Sequence, residues 1–365
     1  DTNPLTLKRS ICAAGHKAMF NETWGGLPDK EFLKELDPAL ADLRDNLYGE
    51  AFPSDQKAGN LSGEWAEKLG LPPGIAVAVG GFDCHMGAVG AGVKKGTLVK
   101  VLGTSTCDIT VADQDLADVP GLCGQVTSSV VPGLLGIEAG QSAVGDIFLW
   151  LVNHIVPDSY GADISEKFAT MGEKIEKLTP GETGLLALDW NNGNRSVLTD
   201  VRLSGLLLGQ TLQTQAHEIY RSYIEATAFG AYTIIQRMED YGVEINEVVN
   251  IGGLSLKNPV LMQIYADVIG KPMRVSSVDQ TCAMGAAILA AVSAGYTDLE
   301  TLQQRSVKYL DVIYKPIPEN QAIYKRLYQL YRTLHDSFGV TTNSSGNLAQ
   351  VMKELMDIRD QQRKK

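Results

Sequence analysis

Short apolar runs closed by glycine alternate with stretches of helical period along most of this 365-residue chain. That alternation predicts strands interleaved with helices. Runs at 75–79, 98–102, 107–111, 185–188, 247–251 and 273–275 read as strands, the second and third joined as a hairpin. Helical period and stop signals predict helices over 28–36, 62–69, 142–156, 161–177, 214–241, 258–269, 282–294 and 318–338. Ser62 is the expected N-cap of the second, and Gly70 and Gly242 the expected stops of the second and fifth. The run 9–14 is expected to be a strand ending in Gly15-His16-Lys17, with Lys17 just past its end. The Gly-rich segment 126–138 reads as an irregular loop delivering Glu138 to the apolar helix that follows. Residues 341–346 read as a polar linker and 348–365 as a surface helix or frayed tail. The whole predicts an α/β layered protein with a helix-covered sheet and no internal repeat.

Chemistry is concentrated in residues 76–108. The strand 75–79 is expected to be buried and to stop at Gly80-Gly81, leaving Asp83 where a helix begins, a position suited to a general base. After the next strand, Gly103-Thr104-Ser105 turns the chain with amides and two hydroxyls free to meet an anion. A base near a phosphate cradle points to phosphoryl transfer. Each feature has a plainer reading: Asp83 as a helix N-cap, residues 103–105 as a mere turn. The polar loop 189–195 at a strand end is a further ligand candidate.

Composition narrows the partners. With 44% hydrophobic residues and a mean hydropathy of −0.05 the chain is globular. Its net charge of −11 argues against nucleic acid and anionic membranes and favours small metabolites. Five cysteines stand singly, with no CxxC pair and no histidine at metal-ligand spacing, so they read as reduced, mostly buried thiols. No apolar run approaches the roughly 18–20 residues of a membrane span, and DTNPLTLKRS lacks a signal-peptide core; a soluble, cytoplasmic protein is expected.

Three motifs in one order, GGFDCHMGAVG, KVLGTSTCDI and NIGGLSLKNPVLMQIYADVIGKPM, resemble the FGGY family of carbohydrate kinases. The segments AAGHKAMFNETWGGLP, GQVTSSVVPGLLGIEAGQSAVGDIFLW and EATAFGA are similar to the branch that phosphorylates ribulose. The resemblance runs to about Phe338. It implies an actin-like, ribonuclease-H-type α/β fold of two domains with the active site in the cleft between them. Residues 1–93 would be the remnant of the first domain, carrying the sugar side and the catalytic base. Residues 94–340 would be the ATP domain, with 341–365 as linker and tail. The family's opening Asp-x-Gly phosphate motif does not occur here, so the chain is expected to be a C-terminal portion, inactive by itself, with its first domain incomplete.

The resemblance also implies roles. Asp83 matches the catalytic base; Lys17, Asp83 and Glu138 match sugar contacts. Gly103, Thr104 and Ser105 match a phosphate loop, Gly145 a helix approach near the phosphates, and Gly252, Gly253 and Asn258 the adenosine site. ATP and Mg²⁺ are the implied cofactors, with no residue of this chain on the metal beyond indirect contact. The implied reaction is phosphorylation of ribulose to ribulose 5-phosphate in arabinose catabolism, by a homodimer in many members. Alternatives are another family sugar or polyol (xylulose, a pentitol, glycerol) or a nucleotide-binding fragment without turnover. On residues alone, Lys17 reads as a solvated lysine, and Glu138 reads equally well as a ligand contact or as a cap of the next helix. His85 reads as a packed histidine behind the site, and Trp150 and Met262 as core.

Overall fold

A computed structural model describes residues 7–340; the expected linker and tail at 341–365 lie outside them. The chain opens with helices α1 (Ile11–Ala18) and α2 (Lys30–Leu36), then strand β1 (Lys57–Asn60), α3 (Gly63–Leu69), β2 (Ala76–Ala78) and α4 (Asp83–Gly90). Strands β3 (Gly96–Leu102), β4 (Thr106–Ala112), β5 (Gly124–Thr127) and β6 (Leu135–Ala139) follow, then α5 (Gly145–His154), α6 (Ile164–Glu176), β7 (Leu186–Leu188) and β8 (Leu206–Leu208). The remainder is α7 (Ala216–Asp240), β9 (Ile245–Ile251), α8 (Gly253–Lys257), α9 (Pro259–Ile269), β10 (Met273–Val275), α10 (Thr281–Ser293), α11 (Leu299–Ser306) and α12 (Pro318–Gly339).

Six strands form one mixed sheet in the order β10-β9-β3-β4-β6-β5. β10, β9 and β3 run parallel, whereas β3, β4, β6 and β5 are joined antiparallel. The strand-by-strand expectations for 98–102, 107–111, 247–251 and 273–275 hold, as does the hairpin. α7 carries buried residues on most of its circumference and is the central helix of the main core, as a helix apolar on all sides must be. Inside the sheet, Lys100 and Asp108 stand opposite each other on β3 and β4, both fully buried, with Nζ 2.6 Å from Oδ1.

The early part of the chain departs from the sequence reading in three places. Residues 11–18 form α1 rather than a strand, because Ile11, Cys12 and Ala14 bury one face of a helix. Lys17 therefore lies in the last helical turn. The run 75–79 yields only the three-residue β2, paired with β1 and half-exposed, not a buried strand of the main sheet. Residues 126–138 are irregular only in the middle, 128–134: the ends of that segment belong to β5 and β6, and Glu138 stands inside β6. Among the cysteines only Cys12 is buried; all five are free. Trp150 is 42% exposed, against the expectation of core, while Met262 is fully buried.

α4 joins the early segments to the sheet by lying against α10. A Cβ on Gly285 would run into the Met86 carbonyl oxygen, and one on Gly90 into that of Thr281, so the two helices touch backbone to backbone. Among the described residues no helix is long and apolar enough to cross a membrane.

Candidate active site

The motifs meet at two neighbouring places. The first is the C-terminal edge of the parallel strands, where Val101 of β3 pairs with Ile251 of β9. Here the turn 103–105 leaves β3 and Gly252-Gly253 leaves β9. Gly252 has φ 98°, and a side chain would meet the Leu102 carbonyl, so both its conformation and its packing require glycine. Gly253 faces open space. Gly145 packs against the turn: its amide donates to Gly103 O at 3.1 Å, and a Cβ would come within 2.6 Å of that oxygen. The carbonyl of Thr104 accepts the amides of Val144 and Asp146 at 2.8 and 3.2 Å. The first amides of α5 are thus satisfied by the turn. Among the described residues, neither Thr104 nor Ser105 donates its amide to another backbone group; theirs are the donors left for an anion. Asn258 caps α9, accepting from Leu261 N at 3.0 Å and donating to Tyr220 Oη at 3.3 Å, so its amide already has a structural task.

The second place gathers α1, the start of α4, and β6. Asp83 is the first residue of α4, exposed; Phe82, not Asp83, is the N-cap. The Asp83 carboxylate accepts the Cys84 amide at 2.8 Å. Lys17 is also exposed, with Nζ 5.5 Å over the ring of Phe82. Glu138 is buried and caps nothing. Its Oε2 lies 3.1 Å from His85 Nε2 and 3.5 Å from His16 Nδ1, and its Oε1 3.6 Å from Arg195 Nη2. His85 Nδ1 is 2.7 Å from Cys12 Sγ.

Electrostatics follow from this packing. Burial disfavours the Glu138 anion, yet the His85 hydrogen bond and the surrounding cations hold its pKa down to about 2. Burial alone would depress His85, but its bonds to Cys12 and Glu138 outweigh that and lift it to about 9. His16, buried beside the His85 cation, is pushed down to about 4 and is neutral. Cys107 is held down to about 6 by its bond with Cys84 and by Arg195, while Cys84 is pushed up by the same neighbour and by burial.

Of the sequence candidates, the structure gathers Lys17, Asp83 and Glu138 in one neighbourhood and Gly103, Thr104, Ser105, Gly145, Gly252 and Gly253 at one sheet edge. His85 is packed behind Glu138, as its small neighbours implied. The sequence reading gave no role to Cys12, His16 or Ser129. Cys12 and His16 are four apart, one helical turn, and only a helical period for residues 11–18 brings them to one face. Arg195 was visible only as part of the polar loop 189–195.

Comparison with known proteins now identifies the chain. Residues 98–294 match the C-terminal domain of the FGGY family of carbohydrate kinases. The chain belongs to that family. A ribulokinase from Halalkalibacterium halodurans is 46% identical over 362 residues, covering 96% of this chain and 63% of that protein. A second, from Shouchella clausii, is 45% identical over 369 residues, covering 97% and 64%. This FGGY chain therefore spans a little under two thirds of the length of the relatives it matches. The crystal structure of xylulose kinase from Rhodospirillum rubrum superposes with a TM-score of 0.72 at 24% identity, covering 82% of this chain and 59% of that one. The fold is that of the FGGY sugar kinases, the actin-like architecture expected.

Proposed function

We propose that this FGGY chain works in ATP-dependent phosphorylation of ribulose at its terminal hydroxyl, giving ribulose 5-phosphate. The observation that carries the reading is an exposed carboxylate, Asp83, opening a helix beside Lys17 and Glu138, in a chain 46% identical to a ribulokinase. In the reaction Asp83 accepts the proton of the sugar hydroxyl as that oxygen bonds to the γ-phosphorus and the bond to ADP breaks. The Cys84 amide keeps the carboxylate oriented. Lys17 and Glu138 hold sugar hydroxyls by charge-assisted hydrogen bonds. The free amides of Thr104 and Ser105 receive phosphate oxygens, and the open face at Gly253 leaves room for the nucleoside. In this division of labour residues 1–93 bring the base and Lys17 to the sugar, and residues 94–340 bring the ATP side together with one sugar contact, Glu138.

Mg²⁺ would enter with the nucleotide and neutralise charge on the transferring phosphoryl group. Among the described residues, the cluster with ion-binding geometry is His16, His85 and Glu138. Two imidazoles and one carboxylate do not suit Mg²⁺, which demands oxygen donors, so no residue of this chain is assigned to it. Cytoplasmic location and a homodimer complete the proposal.

A panel of ribulose, xylulose, a pentitol and glycerol, followed by sugar-dependent ADP release from the active enzyme, tests it. Ribulose is expected to give the highest kcat/KM. A higher value for any other substrate would replace the proposed sugar.

A further inference from the structure

His16 presents a problem that the kinase chemistry does not solve. Ser129 Oγ donates to the Val126 carbonyl at 2.9 Å, so its hydrogen is committed. With that hydrogen on the carbonyl, the 3.1 Å contact between His16 Nε2 and Ser129 Oγ is assigned as an Nε2–H donating to the hydroxyl oxygen. His16 Nδ1 is consequently the bare nitrogen, with its lone pair free. It is buried, has no hydrogen-bond partner, and faces the Glu138 carboxylate oxygen at 3.5 Å. Lone pair against carboxylate is repulsive unless a cation lies between them.

The surroundings are arranged for that encounter. Gly124 of β5 is the direct register partner of Glu138, and a Cβ there would collide with the His16 ring. Any other residue at 124 would displace the imidazole from this position. Arg195 approaches the other carboxylate oxygen, leaving Oε2 to the two histidines. His85 Nε2 completes a triangle in which the three donor atoms lie within 4.8 Å of one another, with Oε2 3.1 Å from one nitrogen and 3.5 Å from the other. Ligands at zinc's usual bond lengths in a tetrahedron are about 3.3–3.4 Å apart. Both outer ring nitrogens are held: His16 by Ser129, His85 by Cys12 Sγ at 2.7 Å. Such outer contacts orient metal-binding imidazoles.

We propose that His16 Nδ1, His85 Nε2 and Glu138 Oε2 form a Zn²⁺ site tying α1, α4 and β6 together. Two nitrogens and one oxygen are a zinc donor set, with a fourth position left for a water or small ligand. On binding, His85 gives up the proton it shares with Glu138 to solvent and keeps its other hydrogen on the Cys12 sulfur. The site does not rest on the kinase reading. One consequence does: if Glu138 also holds the sugar, ion and sugar exclude each other, and Zn²⁺ acts as a brake on sugar binding.

The test uses the tag-free 365-residue chain, stripped with chelator and free of sugar and nucleotide. Titration with Zn²⁺ by calorimetry is expected to give one ion per chain, and Co²⁺ in its place the strong visible absorption of tetrahedral coordination. His16→Gln, whose side-chain amide can still reach Ser129, is expected to weaken Zn²⁺ at least tenfold. In the unmutated chain labelled with ¹⁵N-histidine, Zn²⁺ is expected to shift His16 and His85 and leave His154, His217 and His335 in place. This arm is immune to any folding defect of the variant. Absence of stoichiometric Zn²⁺ binding, full affinity in His16→Gln, or shifts confined to the other three histidines would overturn the site.

Discussion

Residues 7–93 and residues 94–340 bury their apolar side chains very differently. The early segments close a small core on Ile11, Ala14, Phe20 and Leu27, while Trp24 and Trp65 stay 69% and 55% exposed. The later segments wrap a six-stranded sheet, with Trp190, Phe148 and Phe229 at 1% exposure or less. Helices of seven or eight residues around a two-stranded ribbon enclose only a small core, whereas a wide sheet covered by long helices encloses a large one. Yet the less enclosed region carries the candidate base. The candidate base and the larger core are thus separated along the chain, and α4 against α10 is the seam.

That separation can be tested by substitution. If the early region supplies chemistry rather than stability, Asp83→Asn in the active enzyme lowers kcat by roughly 10²–10⁴ with ATP affinity and Tm unchanged. Steady-state kinetics with thermal melts check both halves of that statement; near-normal kcat would remove Asp83 from the mechanism. The converse belongs in the sheet. Lys100→Met leaves Asp108 buried and unpaired, and Asp108 Oδ2 already lacks a partner. Urea unfolding is expected to show a loss of about 3–5 kcal/mol; a loss below about 1 kcal/mol would mean that the pair contributes little to this core.

At the seam the two regions share a thiol pair, Cys84 from α4 and Cys107 from β4. The bond with Cys84 and the nearby Arg195 favour the Cys107 thiolate while the same pairing disfavours that of Cys84, so iodoacetamide is expected to label Cys107 well ahead of Cys84. Its labelling rate should fall as pH drops through about 6, read by peptide mass spectrometry; equal rates for both cysteines would contradict the assignment. The smallest effect is expected at Trp65. Trp65→Ser, on an exposed ring, should change stability by no more than about 0.5 kcal/mol. A larger loss would place Trp65 in a contact that its exposure conceals.

Much of the later region was legible because its elements are long or strongly patterned. The helix 214–241 and the strands at 98–102, 107–111 and 247–251 stand within two or three residues of expectation, since each buries a face whose period the sequence displays. The early region was harder. Residues 9–14 are too short for strand and helix to be told apart by period, and the wrong period separated Cys12 from His16, hiding the cluster behind Glu138. Segment 126–138 looked irregular because its glycines suit loops, yet Gly136 sits in β6, where Ser129 and Val130 leave no room for a side chain.

The sequence alone determined the order of motifs, the family they resemble, the helix that Asp83 begins and the glycine turns after β3 and β9. These depend on local chain chemistry: caps, stops, backbone conformation and apolar period. Only the tertiary structure decided that Glu138 is a buried strand residue flanked by His16, His85 and Arg195, drawn from positions 16 to 195 of the chain. It also decided that the turn 103–105 spends the Gly103 and Thr104 carbonyls on the start of α5 and leaves the Thr104 and Ser105 amides without a backbone acceptor. Contacts between residues so far apart are set by sheet register and helix docking, and no local pattern encodes them.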